Sequence, residues 1–372
     1  MARTPLRAGM LGVGTIATAS YGFLPGMQEM RDEVITVAVA DPVVERARAV
    51  AAQYGIPEVY PNLDEMLERS DIDLVINLTP IPLHGATSMK ILEAGKHLVA
   101  EKPIATTMEE ADALIELANA RGLKYVVAPP NMLYPNRVEA KRLIAAGAIG
   151  QPCFARVRGS HGGPAAYAWP LDPTWFYQEG SGPLFDMGVY GIHDITGLLG
   201  PARRVVAFSG ITEPIRTVRG GPFHGKQIEV TADDNTLLML DFGNSTFAVV
   251  DATFNVNAAK SPQIEIFGRA GTLNLYNQNQ LPDPTAPLLE IFRLDAAPGI
   301  DGWIVPRSQA SFADSSLQRY RRAILVKHLV DCITENQHPI LSAEHARHAL
   351  EIMLKAIESA RSGRALELRT TF

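Results

Sequence analysis

"LRAGMLGVGTIA", residues 6–17, is an apolar run that ends in glycines and turns into a helix. Gly12 permits a tight turn, Gly14 lets backbone approach a ligand closely, and Ala17 is small enough for close helix–strand packing. A G-x-G-x-x-A turn alone is weak, since glycine turns are common, so its weight depends on what surrounds it. Four more apolar runs follow in the first 130 residues: "TVAVAD", "LVINLTP", "HLVAEKP" and "YVVAPP". Helical patterns separate them: "PVVERARAVAAQYG", "LDEMLERS", "HGATSMKILEAG" and "TMEEADALIELANARG". The last has acids in its first turn and a basic residue then glycine at its end, as the helix dipole and a left-handed cap prefer. Non-alternating strands that alternate with helices mean a parallel sheet covered on both faces, and right-handed crossovers make it doubly wound.

The bulk composition sets limits on everything else. At 372 residues the chain has room for two or three domains and an ample core. A net charge of −6, with no basic tract, steers it to neither nucleic acid nor an anionic membrane. No apolar run approaches the ~18 residues of a spanning helix. "MARTPLRAGM" is basic and then apolar, as a signal peptide would be, but the glycines that follow belong to the turn. Two cysteines, Cys153 and Cys332, form neither a disulfide framework nor a metal cluster, so a cytoplasmic protein is expected. The nine histidines are scattered, and His345 and His348 lie on a helix without suitable partners nearby, so no metal is expected.

Ligands of doubly wound sheets bind beyond the carboxyl ends of the strands. Here those ends read Gly12-Val13-Gly14-Thr15-Ile16-Ala17, Asp41, Thr79-Pro80, Glu101-Lys102-Pro103 and Pro129-Pro130-Asn131. Asp41 closes the second strand, near the ~20-residue spacing at which an acid takes the ribose hydroxyls of a dinucleotide. A carboxylate there repels a 2′-phosphate. Pro42 follows with no adjacent arginine, although Arg46 and Arg48 lie in the next helix. NAD(H) is therefore favoured, with NADP(H) possible.

"GVGTIA", "VAVAD", "TPIPLH", "AGKHLVAEKP" and "GSGPLFDMGVYGIHDITGLLG" occur in an order and spacing that resemble the Gfo/Idh/MocA family of sugar and cyclitol oxidoreductases. The resemblance runs from about residue 6 to the C-terminal "SARSGRALEL". It implies an N-terminal Rossmann domain over 1–130 and a C-terminal α+β domain with an open, mostly antiparallel sheet over 131–372. The second domain would bind substrate and form homodimers or homotetramers through its sheet. It also implies hydride transfer between a nicotinamide and a carbinol carbon of a small-molecule carbohydrate or cyclitol. Lys102 of the E-K-P motif, beside Glu101, would contact the substrate hydroxyl, often through a cis lysine–proline bond. Beside a nicotinamide, a partly desolvated lysine acts as base or polarises the oxygen. Thr79 and Pro80 would line the nicotinamide side. His84 opens the next helix, whose dipole disfavours its protonation, and would pack near the cofactor.

The second half carries the remaining chemistry. "NMLYPNRVEAKRLIAAGAIG" reads as a helix stopped at Gly147 that joins the domains. Several of "PCFARVRG", "RRVVAFSGI", "NTLLMLDFGN", "STFAVVDATFNV", "PQIEIFGRAG", "GTLNLYN" and "PLLEIFRL" alternate as one-face-buried strands do, and "FGNST" signals a hairpin. "SLQRYRRAILVKHLVDCITEN" and "SAEHARHALEIMLKAIESARSG" read as closing helices, the second started by Ser342. In "GSGPLFDMGVYGIHD", Asp186 and Tyr190 are four apart on a probable helix and share a face. The family pattern is D-x-x-x-H; here tyrosine holds the second position. Three arrangements stay open: Tyr190 exchanges the proton with Lys102 lowering its pKa, Lys102 does the proton work alone, or His193 supplies an imidazole. The first two are favoured. Trp169, Trp175, Phe176 and Tyr177 form either a wall for a sugar ring or loop packing. His161 points into the cleft or to solvent. Two other functions fit the scaffold: an NAD-assisted glycoside-cleaving enzyme with a closed redox cycle, and a non-catalytic nicotinamide sensor. The histidine-rich motif of the former is not seen, and Lys102 with Asp186 argues against the latter.

Overall fold

The computed structural model describes residues 4–277, 286–306 and 319–372. The chain divides into two compact units, Met1–Pro130 with Phe312–Leu350, and Asn131–Ser311 with Glu351–Phe372.

The first unit is built on six parallel strands: β1 Leu6–Leu11, β2 Val34–Ala40, β3 Glu58–Tyr60, β4 Leu74–Asn77, β5 His97–Ala100 and β6 Tyr125–Val127. Their order is β3-β2-β1-β4-β5-β6, so it reverses between β1 and β4. Every residue of β4 and β6 is buried, as unbroken Val/Ile/Leu runs require of a sheet covered on both faces. The strand β3 has no counterpart in the sequence reading; three residues at a sheet edge are too short for a pattern to register. Helix α1 (Thr15–Thr18) is one turn, and α2 (Phe23–Met27) resumes after Gly22. Next come α3 (Val44–Tyr54), α4 (Leu63–Arg69), α5 (His84–Glu93) and α6 (Met108–Ala120). The Thr107 side chain caps α6 by accepting the Glu110 N–H at 3.2 Å, and Gly55 ends α3 at φ +69°.

The second unit holds α7 (Pro135–Ala145), β7 (Pro152–Arg158), α8 (Val189–Leu199) and β8 (Arg204–Gly210). A separate hairpin of β9 (Ile215–Thr217) and β10 (Gln227–Glu229) follows. Then come β11 (Asn235–Asp241), β12 (Phe247–Thr253), β13 (Ile264–Gly268), β14 (Gly271–Leu275), β15 (Leu289–Ala297) and β16 (Ile300–Ile304). With β17 (Leu366–Glu367) the large sheet runs β16-β15-β14-β13-β7-β12-β11-β8-β17, antiparallel except where β7 pairs β12. One face is buried by alternation: Leu238 and Leu240 point in, Leu237 and Met239 out. Asn244 and Ser245 take positive φ at the β11–β12 turn, where "FGNST" predicted a hairpin.

Residues 312–350, expected with 131–372, group instead with the first unit. Helix α9 (Ile324–Thr334) packs against β5 and β6, with Leu325, Val326 and Leu329 among its buried residues. Ser342 bridges to Val126, and the Val127 N–H donates to Leu341 O. Helix α10 (Ala343–Ser362) then begins, its first turn capped by Ser342 Oγ, which accepts the His345 N–H at 3.1 Å.

Candidate active site

At the end of β1, Gly12 has φ +86°, and a Cβ there would stand 2.9 Å from Leu78 O; both facts demand glycine. Gly14 has open space where a Cβ would go, which leaves its backbone approachable ahead of Thr15 and Ile16. Ala17 is fully buried. One strand over, Asp41 is 1% exposed. Its Oδ2 accepts the Val13 N–H at 3.0 Å and Arg46 Nε at 3.2 Å; its Oδ1 accepts the Val43 N–H at 2.9 Å and Arg46 Nη2 at 2.7 Å. Burial pushes this carboxyl up, but Arg46 and the two backbone donors outweigh it and hold it below the usual value. A glycine cradle with an anchored acid one strand away fits a dinucleotide.

At the end of β4, buried Asn77 organises the next loop. Its Oδ1 accepts from the Thr79 N–H at 3.2 Å and Thr79 Oγ1 at 2.8 Å, and its Nδ2 donates to Thr87 and Ser88. Pro80 stays exposed. His84 is buried with Nδ1 2.7 Å from Pro103 O and Nε2 2.8 Å from Thr79 O. His84 thereby ties the Thr79-Pro80 loop to the Lys102-Pro103 loop.

Past β5, Lys102 is half-buried and precedes Pro103 in a cis peptide. Glu101 Oε2 accepts the Lys102 N–H at 3.3 Å, while Oε1 is held by Arg322 Nη1 at 2.5 Å. Arg322 was not singled out from sequence; its partner lies far back in the chain, and no local pattern links them.

In the second unit, Gly180 and Gly182 take positive φ just ahead of the Asp186 segment. The segment does not continue as a plain α-helix. Leu184–Gly188 is a wide turn in which the Val189 N–H reaches back to Leu184 O, and α8 starts after it. Asp186 thus sits in a turn wider than that of an α-helix, one turn ahead of Tyr190 on α8. Gly188 brings this turn close to the sheet: a Cβ there would be 2.7 Å from the Ala252 Cβ. Tyr190 is half-buried and His193 is buried. Asp194, fully buried, is committed to Arg137 by two hydrogen bonds of 3.2 and 3.3 Å.

His161, at the end of β7, faces Asp186: Nε2 lies 3.8 Å from Oδ2. Its Nδ1 accepts the Gly163 N–H at 2.8 Å, so the neutral ring carries its proton on Nε2, toward the carboxylate. Phe254 and Tyr167 flank the ring at 5.3 and 5.8 Å. Of the two readings of the aromatics, packing holds for Tyr177, which is 1% exposed in a core with Val218, Ile228 and Phe254, its hydroxyl accepting the Ala165 N–H. Phe176 packs on that core, Trp169 meets Phe176 edge-on, and only Trp175 is well exposed. A polar cavity of about 200 Å³ adjoins, lined by Arg216, Arg219, Asn255 and Asn257. Arg216 is neutralised by buried Asp234 at 2.8 Å and by Glu213 at 3.1 Å. Among the described residues, no three His, Cys, Asp or Glu side chains group as metal ligands, and no helix is long and apolar enough to cross a membrane.

A sheet whose switch point is flanked by a glycine cradle and an anchored acid is that of an NAD-binding oxidoreductase, and sequence comparison agrees. The profile described as "Oxidoreductase family, NAD-binding Rossmann fold" matches residues 6–128, and "GFO/IDH/MocA C-terminal domain" matches 138–274. The chain belongs to the Gfo/Idh/MocA oxidoreductase family. It is 31% identical to a dTDP-3,4-didehydro-2,6-dideoxy-α-D-glucose 3-reductase of Streptomyces violaceoruber over 86% of each chain. It is 26% identical to scyllo-inositol 2-dehydrogenase (NAD(+)) of Bacillus subtilis (strain 168), over 89% of this chain and 88% of that one. Among solved structures, levoglucosan dehydrogenase in complex with NADH superposes with a TM-score of 0.82 at 22% identity, over 99% of this chain and 100% of that one, which supports the fold.

Proposed function

We propose that the chain transfers hydride between the nicotinamide of NAD(H) and a carbinol carbon of a sugar, cyclitol or sugar derivative. One observation carries the reading. The ends of four neighbouring strands, in the order β2-β1-β4-β5, present Asp41, the Gly12–Ala17 turn, Thr79-Pro80 and Lys102. Three strand spacings make a row of about 14 Å, with a ribose-binding acid at one end and a lysine at the other. The relatives named for a cyclitol and a deoxysugar support the substrate class.

Bound NAD(H) supplies the hydride acceptor or donor. The residues of the chain manage the proton and the geometry. Lys102 takes the hydroxyl proton when the alcohol is oxidised and returns it when a carbonyl is reduced. Asp186 accepts hydrogen bonds from substrate hydroxyls, and Tyr190 orients the reacting one. The contact with Asp186 favours His161 over buried His193 as the imidazole of the site. Glu101, tied to Arg322, positions the Lys102 peptide. Orientation of the carbinol carbon supplies much of the rate enhancement.

Two further parts of the reading concern assembly and location. On the open face of the large sheet, Phe208 is 80% exposed and pairs in register with Leu237, beside exposed Met239 and Phe247. That apolar face supports a homo-oligomer formed through it. Cys153 and Cys332 are free thiols, in keeping with the cytoplasm.

The test is nicotinamide absorbance across a panel of sugars, cyclitols and sugar acids, with NAD and NADP in parallel and Lys102→Met as control. Reduction of NAD by a panel member, lost by a factor of ~10²–10⁴ in the variant, is expected. No reduction by any member, with NAD binding demonstrated, overturns the proposal.

A further inference from the structure

The polar cavity beside His161 lies wholly within the second unit, and the roles assigned above leave it unused. At about 200 Å³ it is smaller than the roughly 300–1,000 Å³ of a pocket that encloses a drug-sized ligand, so it suits one small ring and not a nucleotide. It begins one residue from the imidazole. Gly162 lines it, the Gly163 N–H donates to His161 Nδ1, and Phe254 borders both the cavity and the His161 ring, 5.3 Å away. One wall is fixed by hydrogen bonds. Arg216 Nη1 donates to Phe254 O at 3.2 Å and Nη2 to Asn255 Oδ1 at 2.7 Å, while Asn255 Nδ2 donates to Thr253 Oγ1 at 2.8 Å. The other wall is not committed: among the described residues, no hydrogen bond or ion pair engages the side chains of Asn257 and Arg219.

Charge decides what the cavity accepts. Glu213, with its side chain half-exposed, lines it with a carboxylate, and Arg219 lines it with a guanidinium. The Arg216 guanidinium behind them is already balanced by buried Asp234. An anion meets Glu213 and a cation meets Arg219, so neither sign is selected. A neutral ring bearing hydroxyls satisfies both, because a hydroxyl donates to a carboxylate and accepts from a guanidinium or an amide. Ala165, Ala166 and Phe254 give its C–H face an apolar floor. We propose that the cavity is a subsite for a second, neutral sugar residue, joined by a glycosidic bond to the ring whose carbinol is oxidised. The substrate is then a disaccharide or a glycoside carrying a sugar, and Asn257 and Arg219 read its second ring. The inference rests on the reading above that Asp186 holds the reacting ring.

The test is steady-state reduction of NAD by matched one-ring and two-ring compounds: glucose with maltose, cellobiose and trehalose, galactose with lactose and melibiose, and myo-inositol with galactinol. A two-ring compound is expected to have a KM about tenfold or more below that of its one-ring parent, as one or two net hydrogen bonds supply. Asn257→Ala and Arg219→Ala should each raise the two-ring KM roughly 3- to 10-fold, the loss of one such bond. The two-ring kcat and the parent's KM should not move. Ala166→Phe, which fills the cavity, should erase the preference, and its activity on the parent reports that the variant is folded. Parents used as well as the two-ring compounds, or a preference that survives all three substitutions, would overturn the subsite and leave the hydride-transfer reading standing. Reduction of NAD by no compound of either size would overturn that reading, and this inference with it.

Discussion

Asp41 and Asp186 are the two candidate carboxylates, and the regions that hold them work in opposite ways. Asp41 closes a buried parallel strand and is clamped by two backbone amides and an arginine. Asp186 stands in a wide helical turn, partly open, with an imidazole 3.8 Å away. A clamped acid can recognise a fixed partner but cannot follow a reaction. An acid in an open turn can strengthen its hydrogen bonds as charge develops on a substrate. The first arrangement suits binding and the second suits chemistry, and mutation should separate them.

The largest separation is expected from the paired amides. Asp186→Asn should lower kcat by about 10²- to 10³-fold and leave the NADH dissociation constant unchanged. Asp41→Asn should weaken NADH binding and leave kcat at saturating cofactor within a few-fold. Steady-state kinetics with direct cofactor titration checks both, and the same response from both variants would erase the distinction. Asp41→Asn should also cost about 1–3 kcal/mol of stability at pH 7, because it sets an amide among donors. The folded pKa of Asp41 lies below its ordinary value. Its stabilisation is therefore present above about pH 4 and is lost as pH falls through the folded pKa. Urea unfolding of the variant should accordingly depend less on pH in that acid range.

The two regions also differ in how much of them the sequence reveals. In the first unit Asp41, Thr79 and Lys102 come within two residues of the end of an apolar strand, so finding the strand finds them. What escapes is side-chain pairing: Arg322 reaches Glu101 from the far end of the chain, and the dual carbonyl contacts of His84 depend on where two loops return. In the second unit the strands show by alternation, yet the site lies off them. Sequence spacing assumes a helical period that the Leu184–Gly188 turn does not keep. Tyr177 fits an aromatic wall or loop packing alike until its neighbours, Val218 and Ile228 at a short hairpin, are known.

A smaller effect sharpens the picture of Asp186. The two nitrogens of His161 have separate tasks: Nδ1 accepts from Gly163, and Nε2 faces the acid. Asparagine can reproduce the acceptor near the backbone but not the distal donor. Glutamine can place an amide N–H near the Nε2 position. If His161 orients Asp186 by donation, His161→Asn should lower kcat by roughly tenfold, with Gln retaining most of it. An equal loss in both would assign the residue to packing between Phe254 and Tyr167 instead.

The smallest expected effect comes from the first unit and tests how rigidly Lys102 is held. Glu101 binds Arg322 through one oxygen and the Lys102 amide through the other, so Arg322 acts on the lysine through the backbone. Arg322→Gln keeps a donor near Glu101 and removes the charge. A positioning role predicts a fall in kcat of about two- to tenfold with little change in cofactor affinity, and recovery in Arg322→Lys. The ion pair is mostly shielded, with side chains 22% and 11% exposed, so added salt should not mimic the mutation. If salt alone reproduced the loss, the pair would be acting as a surface charge, and the carboxyl ends of the parallel strands would be less rigid than the clamp on Asp41 implies.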